Sequence, residues 1–333
     1  MRSSPLLSLL ILPSFPSTFP RNRLGLAQWL LDPNHPLLAR VTVNRFWQAL
    51  FGEGLVHSSE DFGSQATQPE YPELLDLLAW KFSHPKDQGG FSWDVKALLR
   101  FIMTSDTYQQ RSLADGNTMA HDPKNNWLAR GPRHRLSAEM IRDAALSVSG
   151  LLDETRGGPP VRPYDIAESF KPKKIGSGTS LYRRSIYTYW RRSGPAPVLE
   201  AFDLPNRVVC TAKRDSTNTP LHALILLNGT QFVEASRVLA EHLLHTHSNN
   251  SSAAVENALY LLTSRHPDKD EQEILVQMVE DQRSWYESHP EDAKKLLAVG
   301  QKLTNENLSE IDVAALSAVL AGLYAHDESV VKR

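Results

Sequence analysis

Apolar residues recur through most of this chain at the spacing of one helix face. Val43, Phe46, Trp47, Leu50 and Phe51 follow the i, i+3, i+4, i+7, i+8 rule, Pro36 stands where a first helical turn tolerates it, and Gly52 falls just past the run. The spacing predicts a helix over 37–51, whose other side carries Arg40, Asn44 and Gln48 four apart as a polar stripe. The same reasoning predicts helices over 72–82 and from Ser92 as N-cap, the latter with Val95, Leu98, Leu99, Ile102 and Met103 turned inward. A further helix is predicted over 137–152, with Ile141, Ala144, Ala145 and Val148 inward and Glu139, Arg142 and Asp143 outward. Helices resume after Pro195, after Thr219-Pro220, and from Thr230 to about 245, with Asn228-Gly229 as the break between the last two. Three or four more are expected in the tail, over about 253–264, 271–286 and 309–324.

Two stretches depart from this period. Between 153 and 180, Gly157-Gly158-Pro159-Pro160 and Gly176-Ser177-Gly178 cannot sustain a helix. Leu181 to Trp190 then alternates and is rich in Ile, Tyr and Thr, which predicts an extended strand with Arg184, Ile186 and Trp190 on one side and Arg183, Tyr187 and Tyr189 on the other. The expected fold class is therefore mostly α, a multi-helix domain in two contiguous lobes with at most a few short strands. The lobes are expected at 21–152 and 181–333, joined by the Gly/Pro-rich loop 153–180. Residues 1–20 are expected outside the fold. Arg2, an apolar run from Leu6 to Leu12, and Pro13, Pro16 and Pro20 have the outline of a secretion signal without a small-residue cleavage site, or of a start codon called inside a longer gene. The run is too short to span a bilayer, and no other stretch is apolar enough to cross one.

Composition sharpens this picture in two places. The single Cys210 excludes an internal disulfide, a cysteine-based zinc site and paired-cysteine haem attachment, and reads as a small buried apolar residue. The net charge of −2 hides an asymmetry: 16 Lys or Arg against 8 Asp or Glu between Arg130 and Arg214, then 9 against 18 from Asp215 to Arg333. One explanation is that the basic middle and acidic tail face each other and neutralise. The other is an anion site in the middle segment. Nucleic acid is disfavoured as a partner, because the arginines are scattered among prolines and aromatics with no groove-reading module.

No nucleophile triad, phosphate loop, haem motif or metal signature accompanies these features, so no cofactor is expected in this chain. His242, His245 and His247 lack the further ligand that a lasting metal site needs. Glu139 and Asp143 are the weak candidates for a general acid and base, although charges three and four apart with Arg142 are also ordinary helix stabilisers. Arg183, Arg184, Arg191 and Arg192 bracket the aromatic segment, where guanidinium groups can stack on rings such as Tyr187 and fork onto carboxylate, sulfate or phosphate. Their bland alternative is pairing with internal acids such as Asp203. Asn44 and Arg45 can contact a ligand, or tie helix ends together by hydrogen bonds to backbone carbonyls, which a large helical domain needs wherever loops are buried.

The motifs also form an ordered set. Residues 26–30 (LAQWL), 34–36 (NHP), 43–47 (VNRFW), 51–56 (FGEGLV), 61–63 (DFG) and 72–76 (PELLD) are followed by 135–139 (RLSAE), Arg142-Asp143, 182–185 (YRRS), Phe202-Asp203, Arg214 and 217–228. In this order the chain resembles the planctomycete cytochrome-c-associated C-terminal domain of unknown function, over about 21–333. The resemblance implies a helical domain found downstream of a cytochrome-c-like module, working outside the cytoplasm (periplasmic or secreted), with a cytochrome-c-like domain or protein as partner. The chain departs from the family pattern at Tyr71, His222 and Gly229, where relatives commonly carry His, Gln and Asp. The combined expectation is a non-haem accessory or binding module that recognises an anionic ligand or glycan. Its candidate ligand-binding residues are Asn44, Arg45, Arg135, Arg142, Arg183, Arg184, Tyr187, Arg191, Arg214 and Asn218. The alternative is an enzyme, a hydrolase or cytochrome-linked redox enzyme, built on the acid pair of the 137–152 helix.

Overall fold

The computed structural model describes residues 12–63, 65–163, 174–190, 196–205 and 209–332. They are mostly helical, and the sheet content among them is one pair of two-residue strands. The chain divides into two compact units, the first 1–134 with the short stretch 211–213, the second 135–210 with 214–332.

The first unit contains α1 (Arg23–Leu30), α2 (Leu38–Phe51), α3 (Pro72–Ser83), α4 (Val95–Met103) and the short α5 (Asp106–Gln109) and α6 (Gly116–His121). Its core joins Val43 and Trp47 of α2 to Leu75, Leu78 and Phe82 of α3 and Leu98 and Ile102 of α4. The N-cap of α4 is Asp94 rather than Ser92, because Ser92 and Trp93 take left-handed φ values of 50° and 62° and make a turn before the helix. The inward face is also narrower than the spacing predicts, since Val95 and Met103 are exposed. Residues 13–20, expected outside the fold, pack on α1: the Trp29 indole donates to the Pro13 carbonyl at 3.1 Å and Phe15 lies against the Trp29 ring. Residues 1–11, which carry most of the leader reading, lie outside the described residues.

The second unit contains α7 (Ala138–Val148), α8 (Pro197–Ala201), α9 (Pro220–Asn228), α10 (Thr230–Thr246), α11 (Ser251–Thr263), α12 (Lys269–Ser288), α13 (Pro290–Leu297), α14 (Glu310–Tyr324) and α15 (Asp327–Val330). Helix α10 packs along α14 at the centre, with α11, α12 and α13 around them. Ala235, Ala240, Ala314 and Ala315 have no exposed surface, so small side chains let these helices approach closely while Leu239, Leu316 and Leu320 fill the space beside them. Helix α7, placed by the periodicity with the N-terminal lobe, belongs to this unit and packs against α10.

Two local expectations are corrected here. Residues 181–190 are not a strand: two 3-10 turns, Gly178–Tyr182 and Ser185–Tyr187, are each followed by an isolated bridge, from Arg183 to Asp153 and from Thr188 to Val161. The alternation arises because a folded turn segment, like a strand, can bury one residue and expose the next. Helix α7 is rotated relative to its expected face, with Ala138, Ile141, Arg142, Ala145 and Leu146 buried and Ala144 exposed. An arginine occupies the position that the hydrophobic period leaves to solvent.

Candidate functional site

Arg142 is 1% exposed, and every nitrogen of its guanidinium has an acceptor. Nε donates to Gln231 Oε1 at 2.7 Å, Nη1 to the Arg183 carbonyl at 2.9 Å and Ser185 Oγ at 3.1 Å, and Nη2 to the Leu181 carbonyl at 2.6 Å. This explains the turns at 181–187, because carbonyls that a strand would give to a neighbour are given to the planar fork of one side chain. Gln231, at the start of α10, adds a second donor to the Leu181 carbonyl at 3.1 Å. Asp143 completes the arrangement by accepting the Ser185 amide at 2.8 Å and hydroxyl at 2.6 Å.

Arg183 repeats the device on the Gly/Pro-rich segment. Its Nη groups donate to the carbonyls of Thr155, Gly157 and Pro159, and its guanidinium carbon lies 3.9 Å from the centre of the Tyr187 ring. The Tyr187 hydroxyl accepts the Gly157 amide at 2.8 Å. Gly157 and Gly158 have φ of 79° and 86°, so the chain can turn around the arginine there without side-chain strain. Arg184 faces the other way, as the alternation predicts, and is exposed with Glu154 at 3.3 Å.

The second cluster lies where α7 begins. Arg135 Nη2 donates to Asp203 Oδ2 at 2.5 Å and its guanidinium sits 5.8 Å from the Phe202 ring centre. The His222 ring stacks on that ring at 4.7 Å. His222 is 5% exposed; its Nε2 lies 2.7 Å from the Ala201 carbonyl and its Nδ1 accepts the Thr219 amide at 3.4 Å. Those contacts require the tautomer with the proton on Nε2. Asp203, at φ 61°, also accepts the Thr217 amide at 2.8 Å and the Thr217 hydroxyl. Burial pulls the Asp203 pKa upward, but the Thr217 hydrogen bonds and the Arg135 charge together hold it below the usual range. Burial pulls the Arg135 pKa down, opposed in part by Asp203.

Glu139, in the first turn of α7, pairs with Arg214 at 2.7 Å. Burial raises its pKa, yet the Arg214 contact and local hydrogen bonds outweigh this and leave it lowered. Such a group is ionised at neutral pH and unsuited to act as a general acid. Arg214 and Asn218 are exposed on the stretch 209–219, which contains no helix or strand. Cys210 lies on it too and is exposed, correcting the expectation of a buried thiol. Arg191 and Arg192 lie outside the described residues.

The remaining predicted pair is in the first unit. Asn44 has no exposed surface; its Oδ1 accepts the Val56 amide at 2.8 Å and its Nδ2 donates to the Val56 carbonyl at 3.0 Å. A β-carbon on Gly54 would come within 2.6 Å of Asn44 Nδ2, so glycine there permits the close approach. The polar stripe of α2 thus holds neighbouring structure: Arg40 binds Asp76 of α3, and Gln48 accepts the Ser59 hydroxyl. Arg45 is exposed.

Sequence reasoning missed one polar centre. Glu234 on α10, 2% exposed, accepts the Tyr182 hydroxyl at 2.8 Å and the Gln301 and Lys302 amides at 2.7 Å each. Glu234 and Arg237, three apart on a helix with the inward-facing pattern of α10, were its only local signal. The expected neutralisation of middle by tail also takes a different form, because many charges of the second unit are settled locally. Arg135, Arg184 and Arg214 pair within the basic stretch, while Arg237 pairs with Glu241, Arg265 with Glu271 and Glu328, and Arg283 with Glu280 and Asp312.

The family model of PSD1, a protein of unknown function (DUF1553), matches residues 22–279, and the chain belongs to that family. No curated protein and no solved structure matches it.

Proposed function

We propose that this member of the DUF1553 family is a non-haem accessory module that recognises an anionic ligand, with an anionic glycan as its class, through the second unit. One observation carries the reading. Arg183 meets the backbone carbonyls of Thr155, Gly157 and Pro159 and stacks on the Tyr187 ring. Carbonyls satisfy the hydrogen-bonding of a guanidinium without cancelling its charge. Arg183 keeps its charge next in sequence to exposed Arg184, and Arg214 and Asn218 are also exposed on the second unit, which supports recognition of an anion. The setting, outside the cytoplasm beside a cytochrome-c-like domain or protein, follows from the family resemblance.

The enzymatic alternative has less support. Glu139 is held by Arg214 and Asp143 by Ser185, so both carboxylates already have partners inside the protein.

Binding of a sulfated oligosaccharide, measured across a salt series, tests the proposal. The expected result is an affinity that falls as salt rises and drops about tenfold or more when Arg184 and Arg214 are both replaced by Gln. Absence of binding to sulfated and carboxylated glycans alike at low salt would sink it. Turnover lost in both Glu139→Gln and Asp143→Asn would establish the enzyme instead.

A further inference from the structure

Residues 214–219 are held to the rest of the second unit by two contacts of unequal character. At Thr217 the grip is multiple: Asp203 accepts both the amide and the hydroxyl and is itself fixed by Arg135, with side chains only 18% and 9% exposed. At Arg214 it is a single hydrogen bond of 2.7 Å to Glu139, between side chains 45% and 23% exposed. A guanidinium offers five donors, and Arg214 uses one of them within the described residues. A carboxylate there has the charge and geometry of the ligand class proposed above.

We infer that Glu139 is an internal competitor for the anion site, occupying Arg214 until a sulfate or carboxylate of the ligand displaces it. Displacement frees Arg214 from α7 while the Asp203–Thr217 contact stays in place. The inference rests on the anion-recognition reading and adds its regulation: affinity is set by exchange of one carboxylate for another, with no covalent step.

Two measurements separate the inference from the reading on which it rests. The probe is a heparin-derived hexasaccharide, with a neutral maltohexaose as control. Glu139→Gln keeps the side-chain shape and removes the competing charge, so its affinity for the probe is expected to rise about two- to five-fold, the range an exposed ion pair supplies. Arg214→Gln is expected to abolish that gain. Binding with unchanged or weaker affinity in Glu139→Gln overturns the competitor and leaves the anion reading standing. Absence of probe binding in both Glu139→Gln and the unsubstituted protein removes the anion reading, and the competitor with it. Circular dichroism of each variant establishes that it is folded.

Discussion

Both units bury a polar side chain to hold an irregular segment, but they choose opposite chemistry. In the first, the neutral amide of Asn44 exchanges two hydrogen bonds with Val56 and leaves no net charge behind. In the second, the charged guanidinium groups of Arg142 and Arg183 hold segments 181–183 and 155–159 by their carbonyls, with Asp143 3.5 Å from Arg142. A guanidinium reaches more acceptors than an amide, so it can gather carbonyls from several turns, as no single Asn can. The arginine motif therefore gathers several turns where the asparagine motif ties down one residue.

The largest expected effect comes from removing the fork. Arg142→Met should destabilise the second unit by about 3 kcal/mol or more, because the Leu181 and Arg183 carbonyls, Gln231 and Ser185 lose a buried partner together. Denaturant unfolding measures this, and a loss under about 1 kcal/mol would mean that the network is dispensable. Asn44→Ala should cost less, about 2 kcal/mol, since only the Val56 amide and carbonyl are orphaned, with faster hydrogen exchange at Val56 as its local sign. Equal losses for the two variants would remove the contrast between them.

Acid provides a smaller effect. Asp203 and Glu139 have native pKa values below their ordinary ones, so the unfolded chain binds more protons than the native state as the pH falls. Their stabilisation is complete above the unfolded values of about 4 and is lost as the pH drops through the lower native values. The double variant Asp203→Asn, Glu139→Gln should therefore show a flatter stability profile below about pH 4, read from thermal melts. The smallest effect belongs to Arg45→Ala, where an exposed side chain should change stability by no more than about 0.5 kcal/mol.

How far the sequence carried depended on which interactions were local. The spans of α2, α3, α10 and α14 were readable because their ends carry Pro, Gly or Ser signals and their faces repeat at the helical period. The segment 181–190 reads as a strand because its alternation is real, whereas its hydrogen bonds go to a side chain about 40 residues earlier. Arg142 was assigned to the solvent face for the same reason: periodicity ranks residues by polarity and cannot see a partner that makes burial of a charge tolerable. Exposure of Cys210 and the clasp between Glu139 and Arg214 likewise depend on residues far apart along the chain.

The sequence by itself determined that this protein is helical, which residues cap and break its helices, and that its arginine and aromatic motifs belong together as a set. Only the tertiary structure decided which arginines are spent inside and which reach solvent, because that depends on where distant carbonyls and carboxylates converge. Local periodicity can specify a helix face, but satisfying a guanidinium takes a three-dimensional arrangement of acceptors, and no short window of sequence contains it.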